Sequence, residues 1–209
     1  MARMPRIPRV AASHGGPIVG IDVETACPDH GAVCSIGVSI VLRGEVFRER
    51  QWFVDPGTRF DPRFIEIHGI TPAMVAGKRR LRAEWSDIHG FIETAVADTR
   101  PPTLFEGLEG DPAAAPQGAS SFVNPPALVV AHNAQFDRRQ IEHAIASPLP
   151  FRLACTVAMS RRAFPRLARH NLKTVTEHLR IPLQHHDALS DARACALIAH
   201  HCLAAGAAS

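Results

Sequence analysis

The chain has 209 residues, 46% of them hydrophobic and 21% charged, with a formal net charge of +3; this balance excludes a disordered, collagenous or coiled-coil protein and fits one domain with a sizeable core. No apolar run approaches the ~20 residues that span a bilayer. The opening MARMPRIPRVAASHGG carries Arg3, Arg6 and Arg9 without the apolar stretch of a secretory leader, so neither membrane insertion nor secretion is expected.

Residues 1–16 are expected to be disordered, 17–204 to form the domain and 205–209 a tail. The runs 17–24 (PIVGIDVE) and 33–42 (VCSIGVSIVL) are β-branched and apolar, and 45–54 (EVFRERQWFV) roughly alternates; together they predict a three-stranded antiparallel meander. Pro56, Gly57, Pro62 and His68-Gly69-Ile70-Thr71-Pro72 predict a loop with at most a short helix. Over 83–97, Trp85, Ile88, Ile92 and Val96 fall on one helical face. From Asp98 to Pro126 the chain is rich in Pro, Ala, Gly and Ser without periodicity. The stretch 98–126 is therefore expected to be a mobile surface insertion, with a lid over the substrate cleft as the alternative. Residues 127–131 (ALVVA) suit a strand buried on both faces. A helix holding Ile141 and Ile145 follows, then a strand at 151–155 and helices at 156–164, 171–180 and about 188–204. The last of these places Leu189, Ala192, Ala196, Ala199 and Leu203 on one stripe. A meander followed by alternating helix and strand makes an α/β fold, a mixed central sheet, antiparallel and then parallel, flanked by helices.

Asp22 and Glu24 stand two apart at the end of an apolar strand, so both carboxylates face one way while Ile21 and Val23 face the other. Like charges so placed repel, and a divalent cation would neutralise them. Asp137 lies in the first turn of the helix after the buried strand, and Asp191 in the first turn of the last helix. Strand ends and adjoining helix starts of an α/β sheet can converge on one crevice. Four carboxylates without a cysteine favour Mg²⁺ or Mn²⁺ over zinc. Taken singly, each of these acids reads as a helix cap or a solvated strand edge.

Asp22-Val23-Glu24-Thr25, His132-Asn133-Ala134-Gln135-Phe136-Asp137 and His186-Asp187-Ala188-Leu189-Ser190-Asp191 resemble, in that order, the three motifs of the DnaQ-like 3′–5′ exonucleases. These are the DEDDh branch of the ribonuclease-H-like fold. The resemblance runs from about Pro17 to Ala204 and is interrupted by 98–126, which is longer than the family's connector. It implies that Asp22, Glu24, Asp137 and Asp191 hold two Mg²⁺ or Mn²⁺ ions, that His186 is the general base, and that Thr25 and His68 lie against the last nucleotide. Asn133 is a further substrate-binding candidate, though its alternative is a turn residue bonded to its own backbone. The chemistry agrees, since phosphodiester hydrolysis needs an activated water, a neutralised phosphate and a stabilised leaving oxygen, and an imidazole can accept a proton near neutral pH. His185 is set aside because the family's histidine stands five residues before its last aspartate.

The implied activity is release of nucleoside 5′-monophosphates from a free 3′ end of single-stranded DNA or RNA, with DNA against RNA left open. The alternatives are a nucleic-acid-binding module without activity, a polymerase-associated proofreading subunit, and a hydrolase of mononucleotides or very short RNA. The chain ends soon after Asp191, which favours a self-standing trimming or DNA-repair enzyme; a homodimer and a polymerase partner both stay open. Five cysteines without a CxxC pair suggest a reducing, cytoplasmic setting. The twelve histidines, including His185-His186 and His200-His201-Cys202, match no zinc spacing and read as solvated. All but Lys78 and Lys173 of the 23 cationic residues are arginines, a bias that suits phosphate but equally reflects genome composition. The clusters Lys78-Arg79-Arg80-Leu81-Arg82 and Arg161-Arg162 with Arg166 and Arg169 read first as solvated faces.

Overall fold

The β-branched runs at the start of the chain pair as expected. In the computed structural model, which describes residues 15–99 and 127–206, β1 (Ile18–Thr25), β2 (Val33–Leu42) and β3 (Glu45–Phe53) form the antiparallel meander. Strands β4 (Leu128–Ala131) and β5 (Ala154–Cys155) then add in parallel, giving the order β3-β2-β1-β4-β5. Most of 1–16, nearly all of the insertion expected at 98–126, and 207–209 lie outside the described residues. Among the described residues no helix is long and apolar enough to cross a membrane.

Strand alternation gives the sheet two unlike faces. Val19, Ile21, Val23, Ile36, Val38 and Ile40 point to one side, where α3 (Leu81–Asp98) and α4 (Gln135–Ile145) bring Ile88, Ile92, Ile141 and Ile145 into a continuous core. Trp85, placed by its spacing on that same helical face, is only partly buried against it. The other face carries small residues, with Gly20 paired to Ser39, Asp22 to Gly37 and Glu24 to Ser35 across β1 and β2. Helix α7 (Ala188–Gly206) lies directly on it, and a second core of Val175, Ile198, Ala199 and Cys202 forms with α5 (Thr156–Ala163) and α6 (Leu172–Leu179). The approach is so close that a Cβ at Gly20 would run into the Ala192 carbonyl, and one at Gly37 into the Ala188 carbonyl. Arg193 fixes the lateral position of α7 through paired bonds of 2.8 and 2.6 Å to Glu49 on β3.

Two elements differ from expectation. The loop after β3 holds two short helices, α1 (Pro62–His68) and α2 (Pro72–Val75), each with proline just inside its start. Asp61 caps α1 by accepting the Arg63 N–H at 3.0 Å, and Gly69 closes it in the left-handed conformation. These are helix-start and helix-stop signals, although their Pro and Gly content also suits a loop. Strand β5 has two residues where five were expected. Phe151 turns instead to α3, its ring 6.4 Å from Trp85 and stacked parallel to His89, and the ladder between β4 and β5 holds only the pairs Val130–Ala154 and Ala131–Cys155.

Candidate active site

Three chain segments meet at the C-terminal end of β1. Asp22 and Glu24 project from the small-residue face, and the ladder shifts register just after Glu24, a local irregularity of the kind that re-aims side chains. Asp191 comes from α7, whose first turn is wired tightly. The Asp187 carboxylate accepts the Ser190 N–H at 2.8 Å, its carbonyl accepts the Asp191 N–H, and the Ser190 hydroxyl accepts the Gln184 N–H at 2.8 Å. Because Gly20 and Gly37 let α7 lie against the strands, one carboxylate oxygen each from Asp22, Glu24 and Asp191 falls within 4.8 Å of the others. Asp137, buried at the start of α4, stands beside this group and interacts with its charges, outside the triad itself.

The carboxylates of the cluster raise one another's pKa on top of the effect of burial. Burial, followed by the charges of Asp137, Asp191, Glu24 and Asp187, raises Asp22 well above the ordinary carboxyl range. Burial and then Asp191, Asp137 and Asp187 push Glu24 up to about 8. Asp137 is raised by burial, opposed by its own backbone N–H and that of Val23. Asp191 is raised by burial and held back by His185. The Asp191 side chain is 5% exposed, and its Oδ1 is buried with no hydrogen-bond partner among the described residues. An all-oxygen set with an unpartnered buried oxygen fits a hard divalent cation.

The histidines divide into distinct roles. His68 accepts the Ile70 N–H on Nδ1 at 2.9 Å, which leaves Nε2–H to donate to the Thr25 carbonyl at 3.1 Å. Both ring nitrogens therefore tie the end of β1 to the α1–α2 loop. His132 uses Nδ1 on Thr156 Oγ1 at 2.9 Å, while that hydroxyl donates to the Ala131 carbonyl. Burial pushes the His132 ring down to about 4, so it is neutral. His186 is exposed at the mouth of the cluster with φ 66°, and burial followed by His185 and His68 lowers its pKa. His185 stacks on it and places Nδ1 3.0 Å from Asp191 Oδ2. Asn133 is exposed with φ 63° and its carbonyl accepts the Phe136 N–H, so it serves the turn into α4. Asparagine tolerates that left-handed geometry better than most residues.

Several residues at the site were not singled out from the sequence. Asp187 was legible as a cap with Ser190 three residues on. Gly20 and Gly37 were legible as glycines sharing strand parity with Asp22 and Ser39, the sign of a close backbone approach. Thr156 carried no signal. Of the basic clusters, Arg79 is neutralised locally by Glu84 and Asp87, and Arg161, Arg162, Arg166 and Arg169 are exposed.

A family model described as Exonuclease (RNase_T) matches residues 19–104 and 110–199. The chain is 28% identical over 176 residues to exodeoxyribonuclease 10 of Escherichia coli (strain K12), covering 82% of this chain and 61% of that protein. It is 25% identical over 189 residues to DNA polymerase III PolC-type of Thermotoga petrophila, covering 86% of this chain and 11% of that one. Among solved structures, exonuclease X in complex with 5′-overhanging duplex DNA superposes with a TM-score of 0.59 at 23% identity, covering 92% of both chains. The fold is thus ribonuclease-H-like.

Proposed function

Because the chain belongs to the DnaQ-like exonuclease family of the DEDDh type, we propose that it is a divalent-cation-dependent 3′–5′ exonuclease releasing nucleoside 5′-monophosphates from single-stranded or overhanging DNA ends. The observation that carries this reading is the convergence of Asp22, Glu24 and Asp191 within 4.8 Å, with buried Asp137 beside them and Asp191 Oδ1 unpartnered. The choice of DNA rests on the names of the relatives, exodeoxyribonuclease 10 and exonuclease X with overhanging duplex.

Asp22, Glu24, Asp137 and Asp191 would hold the cations, Mg²⁺ or Mn²⁺. Two such ions, when bound, neutralise the phosphate, acidify the attacking water and stabilise the leaving 3′ oxygen. His186 accepts the water proton on an imidazole nitrogen. Its lowered pKa keeps the ring in the neutral form that can accept a proton near neutral pH. Asp191 is held by the His186 N–H at 3.2 Å as well as by His185, which keeps the base and the carboxylate in register. Thr25, braced through its carbonyl by His68, and Asn133 at the turn before α4 border the cleft where the terminal nucleotide would lie. Five unpaired cysteines are in keeping with a cytoplasmic setting.

The test is hydrolysis of a 5′-labelled single-stranded oligonucleotide. The label should shorten stepwise in Mg²⁺ or Mn²⁺, stop in chelator and stop when the 3′ end is blocked. Full activity in chelator, or release from the 5′ end, would overturn the reading. Binding without hydrolysis would point to a silent nucleic-acid-binding module. The PolC-type match supports a second reading, an exonuclease working alongside a polymerase, which co-purification from the source cells would test.

A further inference from the structure

The basic run on α5 and α6 is not accounted for by the fold. Between Thr156 and Arg180 stand Arg161, Arg162, Arg166, Arg169, Lys173 and Arg180 against one acid, Glu177. The first five are exposed, and none of them forms an ion pair among the described residues. Elsewhere Arg48, Arg79, Arg80, Arg138 and Arg193 each pair with a carboxylate. Arg161 and Arg162 end α5, where cations complement the helix dipole. Lys173, however, stands in the first turn of α6, where the dipole opposes a cation and no acid offsets it. Helix stability does not explain the run, whereas a bound polyanion would.

The run starts at the mouth of the carboxylate cluster. Thr156, the first residue of α5, holds His132, and the His132 ring feels the charges of both His185 and His170. His170 in turn meets Ser160 Oγ at 3.1 Å, which brings the α5–α6 connection back toward the site. Arg169 and Lys173 flank that histidine in the chain, while Arg161 and Arg162 lie at the far end of α5. The eight residues of α5 extend about 12 Å, and a stacked strand advances about 3.4 Å per phosphate, so the face spans about three of them. Beside it Phe164 and His178 meet edge to face, their centroids 5.2 Å apart, and with Arg166 and Leu167 they line a groove of about 410 Å³. Cations beside an aromatic groove are the combination that holds a single strand, by its phosphates and by the faces of its bases. An acidic peptide would suit the charges, but a run that begins at the catalytic mouth lies where the strand being cut must pass.

We propose that the α5–α6 surface bearing Arg161, Arg162, Arg166, Arg169 and Lys173 carries the phosphate backbone of the substrate strand on the 5′ side of the end being cleaved. The direction of the strand rests on the exonuclease reading; the binding of single-stranded nucleic acid by this surface does not. These residues touch no reacting atom. They supply affinity for the length of the strand and leave the chemical step alone.

The experiment is fluorescence anisotropy of a labelled oligothymidylate against salt, in chelator, for the full chain as wild type, as Arg166→Ala/Arg169→Ala, and as Arg79→Ala/Arg80→Ala, a control that removes the same charge elsewhere. Each phosphate contact to a single strand contributes about 0.7 to the slope of log K against log salt, so the first pair should reduce that slope by about 1.4 and weaken binding about tenfold or more at about 0.1 M salt. The control should keep the wild-type slope. In Mg²⁺ the first pair should raise KM on the oligonucleotide about tenfold with kcat unchanged, the mark of lost uniform binding. It should leave hydrolysis of thymidine 5′-(4-nitrophenyl phosphate), which is too short to reach along α5, as it was. A wild-type slope in the first pair would overturn the proposal and leave the basic face to an acidic protein partner, and an equal loss in the control would overturn it as well. A chain whose DNA binding depends on Arg166 and Arg169 yet which hydrolyses nothing would uphold the surface and refute the exonuclease reading.

Discussion

Glu24→Gln tests whether the carboxylate cluster is held together against its own repulsion. Glu24 has its carboxyl pushed up to about 8 from an ordinary 4.5, first by burial and then by Asp191, Asp137 and Asp187. Between those limits the folded chain keeps a proton that the unfolded chain releases. Stability without cations therefore falls as pH rises through that window, and below it, with both states protonated, nothing is lost. At about 1.4 kcal/mol per pH unit of difference, the cost to the fold is about 3 kcal/mol near pH 7 and approaches 5 above pH 8. Glutamine keeps the shape and removes the charge, so in chelator the variant should be more stable than wild type by up to about 3 kcal/mol near pH 7, and equal to it near pH 4. Urea denaturation across that range reads the difference directly. Adding Mn²⁺ should reverse the order, because the wild type gains binding energy that the variant has lost. A difference that does not change with pH, or a variant less stable than wild type near pH 7 in chelator, would refute the reasoning.

Gly20→Ala would force a methyl group into the Ala192 carbonyl; thermal denaturation should show a loss of about 1–3 kcal/mol or more, and turnover should fall further as α7 carries Asp191 away from Asp22. His186→Ala should slow hydrolysis by about 10²–10⁴ while leaving Mn²⁺ binding by calorimetry largely intact, and His185→Ala should slow it far less; equal effects would overturn the assignment of the base. Ser190→Ala would be innocuous at a solvated helix start, but here the buried hydroxyl accepts the Gln184 N–H. It should cost about 1–3 kcal/mol in urea denaturation, and a smaller loss would mean that water replaces the hydroxyl.

Much of this protein is written locally. β-Branched runs form β1, β2 and β3, and Asp22 and Glu24 share a face because side chains alternate along a strand. Asp137 and Asp191 open helices whose apolar spacing is plain in the chain, and the order of the motifs implies the family without any knowledge of strand pairing. What the sequence could not decide depends on which surfaces meet. The small residues Gly20, Gly37, Ser35 and Ser39 acquire meaning only once α7 is laid across them, because close approach is a property of two backbones and not of one segment. Thr156 orients His132 from 24 residues away, and Phe151 packs against α3 while the ladder to β4 stops at Ala154, although Leu128 and Val129 of β4 continue beyond it. His185 looked like the idle neighbour of His186, yet the left-handed turn at His186 stacks the two rings and sets His185 against Asp191. That geometry is set by the left-handed backbone of the turn that leads into α7, which residue spacing does not reveal.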